Sequence, residues 1–225
     1  MQTGTGQVLE LILEDGDHYV RISCSPHLIP APGQYLLAND GSGSPLAIPV
    51  FYSDSAPQGF IAAAPATADW SPGLLLHLRG PLGRGFSLPL AARRVGLVAL
   101  DDAPVRLRGL IRPALKQDAA VVLVSNTTPE DLLDDVEVQP LSSLSDVLEW
   151  ADYVAFDVAR ENLQELRERV RNRSRLAART DAQVLIRTGI PCGGIADCGV
   201  CAVTLKSDWK LACKEGPVFH WRELD

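Results

Sequence analysis

The chain has no excess of positive charge, no long apolar run and no even set of cysteines, and each absence narrows what it does. With 21 Lys and Arg against 28 Asp and Glu, its formal charge is −7. That balance argues against a nucleic-acid surface, because phosphate binding draws on clustered cations across the whole contact face. No stretch of about eighteen apolar residues is present to span a bilayer, and the N-terminus lacks the basic start and apolar core of a secretory signal. The expectation is a cytoplasmic protein that meets small molecules and other proteins, not a membrane. Five cysteines are an odd number, and four of them crowd between Cys192 and Cys213. In a chain without export signals that distribution fits metal ligation better than a disulfide framework. Cys24 stands apart in a strand-like run, Val20 to Cys24, and is read as a small buried hydrophobe.

What is present is ample apolar material, 46% of 225 residues, enough for one large domain or about two to three small ones. Proline and glycine divide the chain: residues 1–90 hold 21 of the 34, residues 91–186 only six. The first part reads as short strands cut by turns, at Gln7 to Leu13, Tyr19 to Cys24, Gln34 to Ala38, Ile48 to Tyr52, Phe60 to Ala64 and Leu74 to Leu78. Such spacing predicts a small antiparallel barrel. The middle part alternates apolar runs at Val95 to Leu100, Ala119 to Val124 and Tyr153 to Val158 with helical patterns at Val105 to Lys116, Leu144 to Trp150 and Glu161 to Arg175. That is the rhythm of a parallel α/β sheet. From Gln183 onward the pattern changes to a Gly and Cys loop with an aromatic tail, Phe219-His220-Trp221. Three units are expected: a barrel over 1–90, an α/β domain over 91–186 and a metal-binding segment over 187–225.

The chemistry sits in Cys192-Gly-Gly-Ile-Ala-Asp-Cys198-Gly-Val-Cys201, followed after eleven residues by Cys213. Iron in iron–sulfur clusters is held by thiolates that converge on a compact inorganic core, and plant-type 2Fe-2S sites use CxxxxC, then CxxC, then a distant fourth Cys. Here the first gap is one residue longer, an insertion that a bulge would absorb. Gly193, Gly194 and Gly199 suit such a loop, since glycine reaches left-handed angles and lets amides approach the sulfurs. The other reading of these four cysteines is a structural zinc site in a non-redox scaffold or regulatory subunit. Zinc sites more often show two paired CxxC knuckles.

Cys213-Lys-Glu-Gly-Pro-Val-Phe219, Pro32-Gly-Gln-Tyr35 and Gly80-Pro-Leu-Gly-Arg-Gly-Phe86 together resemble the electron-transfer subunit of dihydroorotate dehydrogenase B, in the same order along the chain. The resemblance spans the whole sequence. It implies a ferredoxin-reductase-like fold, β barrel plus α/β with a C-terminal 2Fe-2S segment, acting as the redox subunit of an oxidoreductase complex and not as a stand-alone catalyst. It also implies FAD as a cofactor and a flavoprotein dehydrogenase as partner, in pyrimidine biosynthesis, within a hetero-oligomer.

The family's Arg-Pro-x-Ser stretch, which holds the flavin, falls on Ile48-Pro49-Val50-Phe51, so these four mark the FAD position. An alignment on Pro45 gives Ser44 and Ala47 instead. Either way the cationic anchor is missing, with Arg79 and Arg84 as substitutes to consider, and Tyr52 as a ring to stack on the flavin. The first strand of the α/β domain leads into Leu100-Asp101-Asp102-Ala103-Pro104 instead of a glycine-rich phosphate turn, and Phe156-Asp157-Val158 stands where the family has Cys-Gly-Pro. NAD binding is therefore not expected, and Asp101 and Asp102 are read as helix caps. The run Arg160, Arg167, Arg169, Arg171, Arg173, Arg175 and Arg179, interleaved with Glu161, Glu165 and Glu168, reads as a solvated helix or a dock for an acidic partner. His77 and His220 have no companions that would make them catalytic.

Overall fold

A computed structural model of the chain describes residues 2–14, 17–41, 46–63, 69–101, 104–127, 132–171, 181–206 and 208–224. Ser44, Pro45, Asp102, Arg173, Arg175 and Arg179 lie outside the described residues, as does the side chain of Arg171. Alternating apolar and polar residues give six strands, β1 (Gln2–Glu14), β2 (Asp17–Cys24), β3 (Tyr35–Asn39), β4 (Ile48–Ala56), β5 (Gly59–Ala63) and β6 (Leu75–Leu82). They close into an antiparallel barrel in the order β1-β2-β5-β4-β3-β6. Val8, Ile22, Leu36, Val50, Phe60 and Leu76 fill a barrel core that excludes solvent. Closure leaves no unpaired strand edge.

The chain then builds β7 (Arg94–Ala99), α1 (Ile111–Lys116), β8 (Ala120–Val124), β9 (Val136–Gln139), α2 (Leu144–Trp150), β10 (Tyr153–Ala159), α3 (Leu163–Arg171) and β11 (Asp181–Arg187). The C-terminal segment adds a hairpin of β12 (Ala202–Thr204) and β13 (Trp209–Leu211), then α4 (Ala212–Glu215), β14 (Val218–His220) and α5 (Trp221–Leu224). The second sheet has the order β14-β11-β10-β7-β8-β9. All its pairs are parallel except β11 with β14.

Three expectations change. The helix expected over Val105 to Lys116 is two 3-10 turns, Pro104–Arg106 and Arg108–Leu110, with α-helix only from Ile111. Pro113 has no N–H to return to the Gly109 carbonyl, so it fits only in a first helical turn. The run from Gln183, taken as the start of the loop, is instead the body of β11. Its side chains Val184, Leu185 and Ile186 are fully buried, as expected of a strand covered on both faces. The aromatic tail is a sheet edge, with Phe219 in β14 and Trp221 against Phe156 at 5.7 Å between ring centroids. β14 thereby ties the end of the cysteine segment into the α/β sheet. One continuous apolar core runs from the barrel (Tyr35, Leu37, Phe51) through the sheet (Val98, Phe156, Val184) to Cys201, Val203 and Cys213.

Candidate metal centre

The cysteine loop leaves β11 at Arg187 and returns at β14. Between Cys192 and Cys198 the backbone winds through three left-handed residues, Gly193 (φ 65°), Gly194 (φ 74°) and Ala196 (φ 63°). The longer first gap is coiled up there. Gly193 N donates to Ile190 O at 3.1 Å, and beyond Cys201 the chain is pinned by Ala202 N to Gly199 O and Ala212 N to Cys201 O, both 3.0 Å.

The four thiols stand as two neighbouring pairs, Cys192 with Cys198 and Cys201 with Cys213. The backbone amide of Asp197, followed by the amide and thiol of Cys198 and the amide of Ile195, favours the thiolate of Cys192 and holds its pKa down to about 6. Burial pushes Cys213 up to about 12, with the adjacent Cys201 and the charge of Cys192 adding to it, against the Ala196 amide. Cys201 and Cys213 are buried, Cys192 is half-buried and Cys198 is exposed. A binuclear iron–sulfur cluster takes two thiolates on each iron and amide donors around the sulfurs. Two thiol pairs lined by amides fit that group. Cys24, by contrast, lies on β2 and its thiol pKa is raised by burial.

The surroundings fix this loop. Tyr35 Oη donates to the Cys213 carbonyl at 3.4 Å and lies so near Gly194 that a Cβ there would meet it at 3.2 Å. Gln34 Nε2 donates to Gly83 O at 3.0 Å, Arg84 N to Gly216 O at 2.5 Å and Phe86 N to Pro32 O at 2.8 Å. Gly33, at φ 84°, is closed in by Val218 and Phe86, and Gly83 by Pro217. The three stretches that carry the family resemblance, far apart in sequence, are thus one junction that holds the cysteine segment on the barrel. Sequence reasoning missed their meeting.

It also missed the role of two arginines. Arg160 donates to the carbonyls of Val200 and Ala202, and Arg167 to Thr204 O at 2.8 Å. Read as part of a solvated helix, they are instead braces of the cysteine segment, tying α3 and the turn before it to the carbonyls of residues 200 to 204. Arg169 keeps the expected helical pairing with Glu165 at 2.7 Å.

The positions marked for FAD are uncharged residues of β4. Ile48 and Pro49 are half-buried, Val50 is in the barrel core, and Phe51 packs on Tyr35 at 5.5 Å between centroids. Tyr52 stacks on Phe60 at 6.2 Å and is covered by Gly109, where an added Cβ would come within 2.6 Å of the ring. None of the four carries a charge, and burying a diphosphate without charged donors is costly. These four residues by themselves supply no charged anchor for a flavin diphosphate. Arg79 is separated from Pro49 of β4 by Leu37 of β3, to which both are paired, and its guanidinium lies against Gly193 of the cysteine loop; Arg84 bridges to Pro217 through its backbone.

Asp101, expected as a helix cap, does other work. Its carboxylate accepts from Ala159 N at 2.8 Å and Asn162 Nδ2 at 2.7 Å and pairs with Arg187. Arg187 also meets Asp157 at 2.8 Å, and Arg106 meets Asp157 at 3.0 Å. Asp157 is 1% exposed, a burial that such a charge tolerates only when paired. This network occupies the ends of β7, β10 and β11, where open α/β sheets usually receive a nucleotide.

The fold and the cysteine segment define a ferredoxin-reductase-like architecture carrying a metal-binding tail. Among solved structures the chain is similar to an NADH-dependent reduced ferredoxin-NADP oxidoreductase, a subject of work on flavin-based electron bifurcation, at 18% identity and TM-score 0.75, covering 100% of this chain and 91% of that one. It is similar to the ferredoxin reductase in carbazole 1,9a-dioxygenase at 15% identity and TM-score 0.61, over 77% of this chain and 66% of that one. The ferredoxin-NADP+ reductase from Plasmodium falciparum aligns at 10% identity and TM-score 0.58, over 81% and 95% respectively. No curated protein matches the chain in sequence. Residues 192–225 match the iron-sulfur cluster binding domain of dihydroorotate dehydrogenase B. The C-terminal segment thus matches an iron–sulfur cluster binding domain, and the body before it has a ferredoxin-reductase-like fold.

Proposed function

We propose that this chain is an electron-transfer subunit whose 2Fe-2S cluster, held by Cys192, Cys198, Cys201 and Cys213, relays electrons for a dihydroorotate-dehydrogenase-like flavoprotein. The observation that carries the reading is the family match of residues 192–225, which begins at Cys192 and takes in all four cysteines, with backbone amides beside Cys192 and Cys213. Bound there, the cluster accepts and donates one electron at a time. The protein supplies thiolates, amide donors and burial, which set the potential, and it needs no acid, base or nucleophile of its own.

The family match of residues 192–225 and the electron-transfer fold support the partner proposed here. Two-electron flavin chemistry belongs to that partner, and an FAD on this chain would need a diphosphate anchor other than Ile48 to Phe51, for which Arg79 and Arg84 are the candidates the sequence offers. The Asp101–Arg187–Asp157–Arg106 network supports a chain that does not bind NAD. Among the described residues no helix is long and apolar enough to cross a membrane, in keeping with the cytoplasmic setting proposed. The test is metal and sulfide analysis with electron paramagnetic resonance on protein purified without oxygen. Two irons and two sulfides per chain, with a signal appearing on dithionite reduction, are expected for a 2Fe-2S cluster. Stoichiometric zinc without sulfide would overturn the reading and make the chain a scaffold.

A further inference from the structure

One charged side chain near the cysteines has no partner in the account above. Arg79 stands on β6, half-buried, with its guanidinium against Gly193: a Cβ on that glycine would meet Nη2 at 2.8 Å. Arg79 and Cys192 line the same open groove of about 630 Å³, together with Thr3, Thr5, Asn39 and His77. The Tyr35 hydroxyl lies within electrostatic reach of Cys213, Cys201, Arg79 and Cys192 alike, so the guanidinium and three of the thiols share one neighbourhood. Among the described residues no carboxylate pairs with Arg79. Arginines of similar burial do have partners: Arg106 and Arg187 hold Asp157, and Arg167 holds Thr204 O.

We propose that Arg79 is the counter-charge of the cluster, a positioning residue that stabilises the reduced state and raises the reduction potential. The inference rests on the iron–sulfur reading. Four thiolates leave such a cluster negative, and each added electron makes it more so. A fixed cation a short distance away stabilises the reduced form more than the oxidised one, and does so more strongly where neighbouring groups exclude water. The groove's other natural occupant would be a free anion on Arg79. The negative cluster beside it disfavours that occupant, so the cluster itself is the better partner for the guanidinium. Gly193 serves the same arrangement: with no Cβ and a left-handed φ, it lets the guanidinium lie on the loop backbone.

The experiment is a potentiometric titration, followed by electron paramagnetic resonance, of the full chain and the variants Arg79→Gln, Arg79→Met and Arg79→Lys. Met keeps the packing of the side-chain stem and loses the charge; Lys keeps the charge. The expected result is a more negative midpoint for Gln and Met, with Lys near the wild type. Loss of the cluster from Gln and Met alone, with Lys loaded and titrating as wild type, assigns the same role to the charge. Cluster-loaded Met or Gln variants with an unchanged midpoint overturn the proposal. Loss of the cluster from all three variants, with the fold intact by circular dichroism, makes Arg79 a purely steric support and also overturns it. If the wild type itself shows no iron–sulfur signal, the reading beneath the proposal has failed instead.

Discussion

At the scale of single residues, the cysteines separate cleanly by environment. Cys192, Cys198 and Cys201 lie on one loop and Cys213 on α4 of the same C-terminal segment, while Cys24 belongs to a barrel strand. Replacing any one of the four with Ser is expected to remove most of the bound iron, whereas Cys24→Ser leaves it unchanged; iron analysis of anaerobically purified variants decides this. Phe51 makes the opposite kind of test. It sits in the core shared by barrel and sheet, 8% exposed, so Phe51→Ala should cost about 3–5 kcal/mol in urea unfolding. A residue kept for touching a flavin would show a much smaller loss. The spacing of the cysteines was legible in sequence because metal ligation needs fixed residue types at short separations. Arg79 was not legible as a neighbour of the cluster, because its contact with Gly193 joins residues on a barrel strand and a distant loop that only folding brings together.

At the scale of elements, the six barrel strands and α2 fall where alternation and helical periodicity put them, since turns rich in Pro and Gly mark their ends. The short strands β9, β12, β13 and β14 leave no such signal: a strand of three or four residues has too few positions for a period to emerge. β11 was misread for a different reason, as its uniformly apolar face reflects burial on both sides. The junction of Pro32 to Tyr35, Gly80 to Phe86 and Cys213 to Phe219 predicts that Gly33→Ala loosens the cysteine segment. The left-handed backbone alone disfavours a side chain by about 1–2 kcal/mol, and the crowding by Val218 and Phe86 adds to it. Faster hydrogen exchange at Val218 and Phe219 would report the loosening.

A second element-scale prediction concerns acid. Asp152 accepts from Arg93 N at 3.2 Å and Arg94 N at 3.1 Å, and the Arg94 guanidinium at 2.6 Å holds its carboxyl below the usual range. A lowered folded pKa means stability that is present above the unfolded value, about 3.9, and is lost as pH falls through the folded one. Asp152→Asn should therefore unfold at lower urea than the wild type at pH 7, with the gap closing below about pH 4. A gap that does not narrow at all as pH falls below about 4 would mean the carboxylate charge is not what ties β7 to the turn before β10.

At the scale of the whole molecule, stripping the metal with a chelator is expected to leave the barrel and α/β sheet intact. Cys201 and Cys213 are only two of the many side chains in the shared core, and β14 is held to β11 by backbone pairing from Gln183 to Leu185. Hydrogen exchange should rise over residues 191–202 and stay slow in β11; global unfolding of the apo-protein would show that the cluster organises the fold and not only its own loop. The junction has one further effect. The barrel's closing turn and the tail of the cysteine segment share backbone hydrogen bonds, so barrel and cluster move as one piece. A protein that docks on the barrel face beside the groove thereby sets its electron-tunnelling distance to the cluster without having to grip the cysteine loop at all.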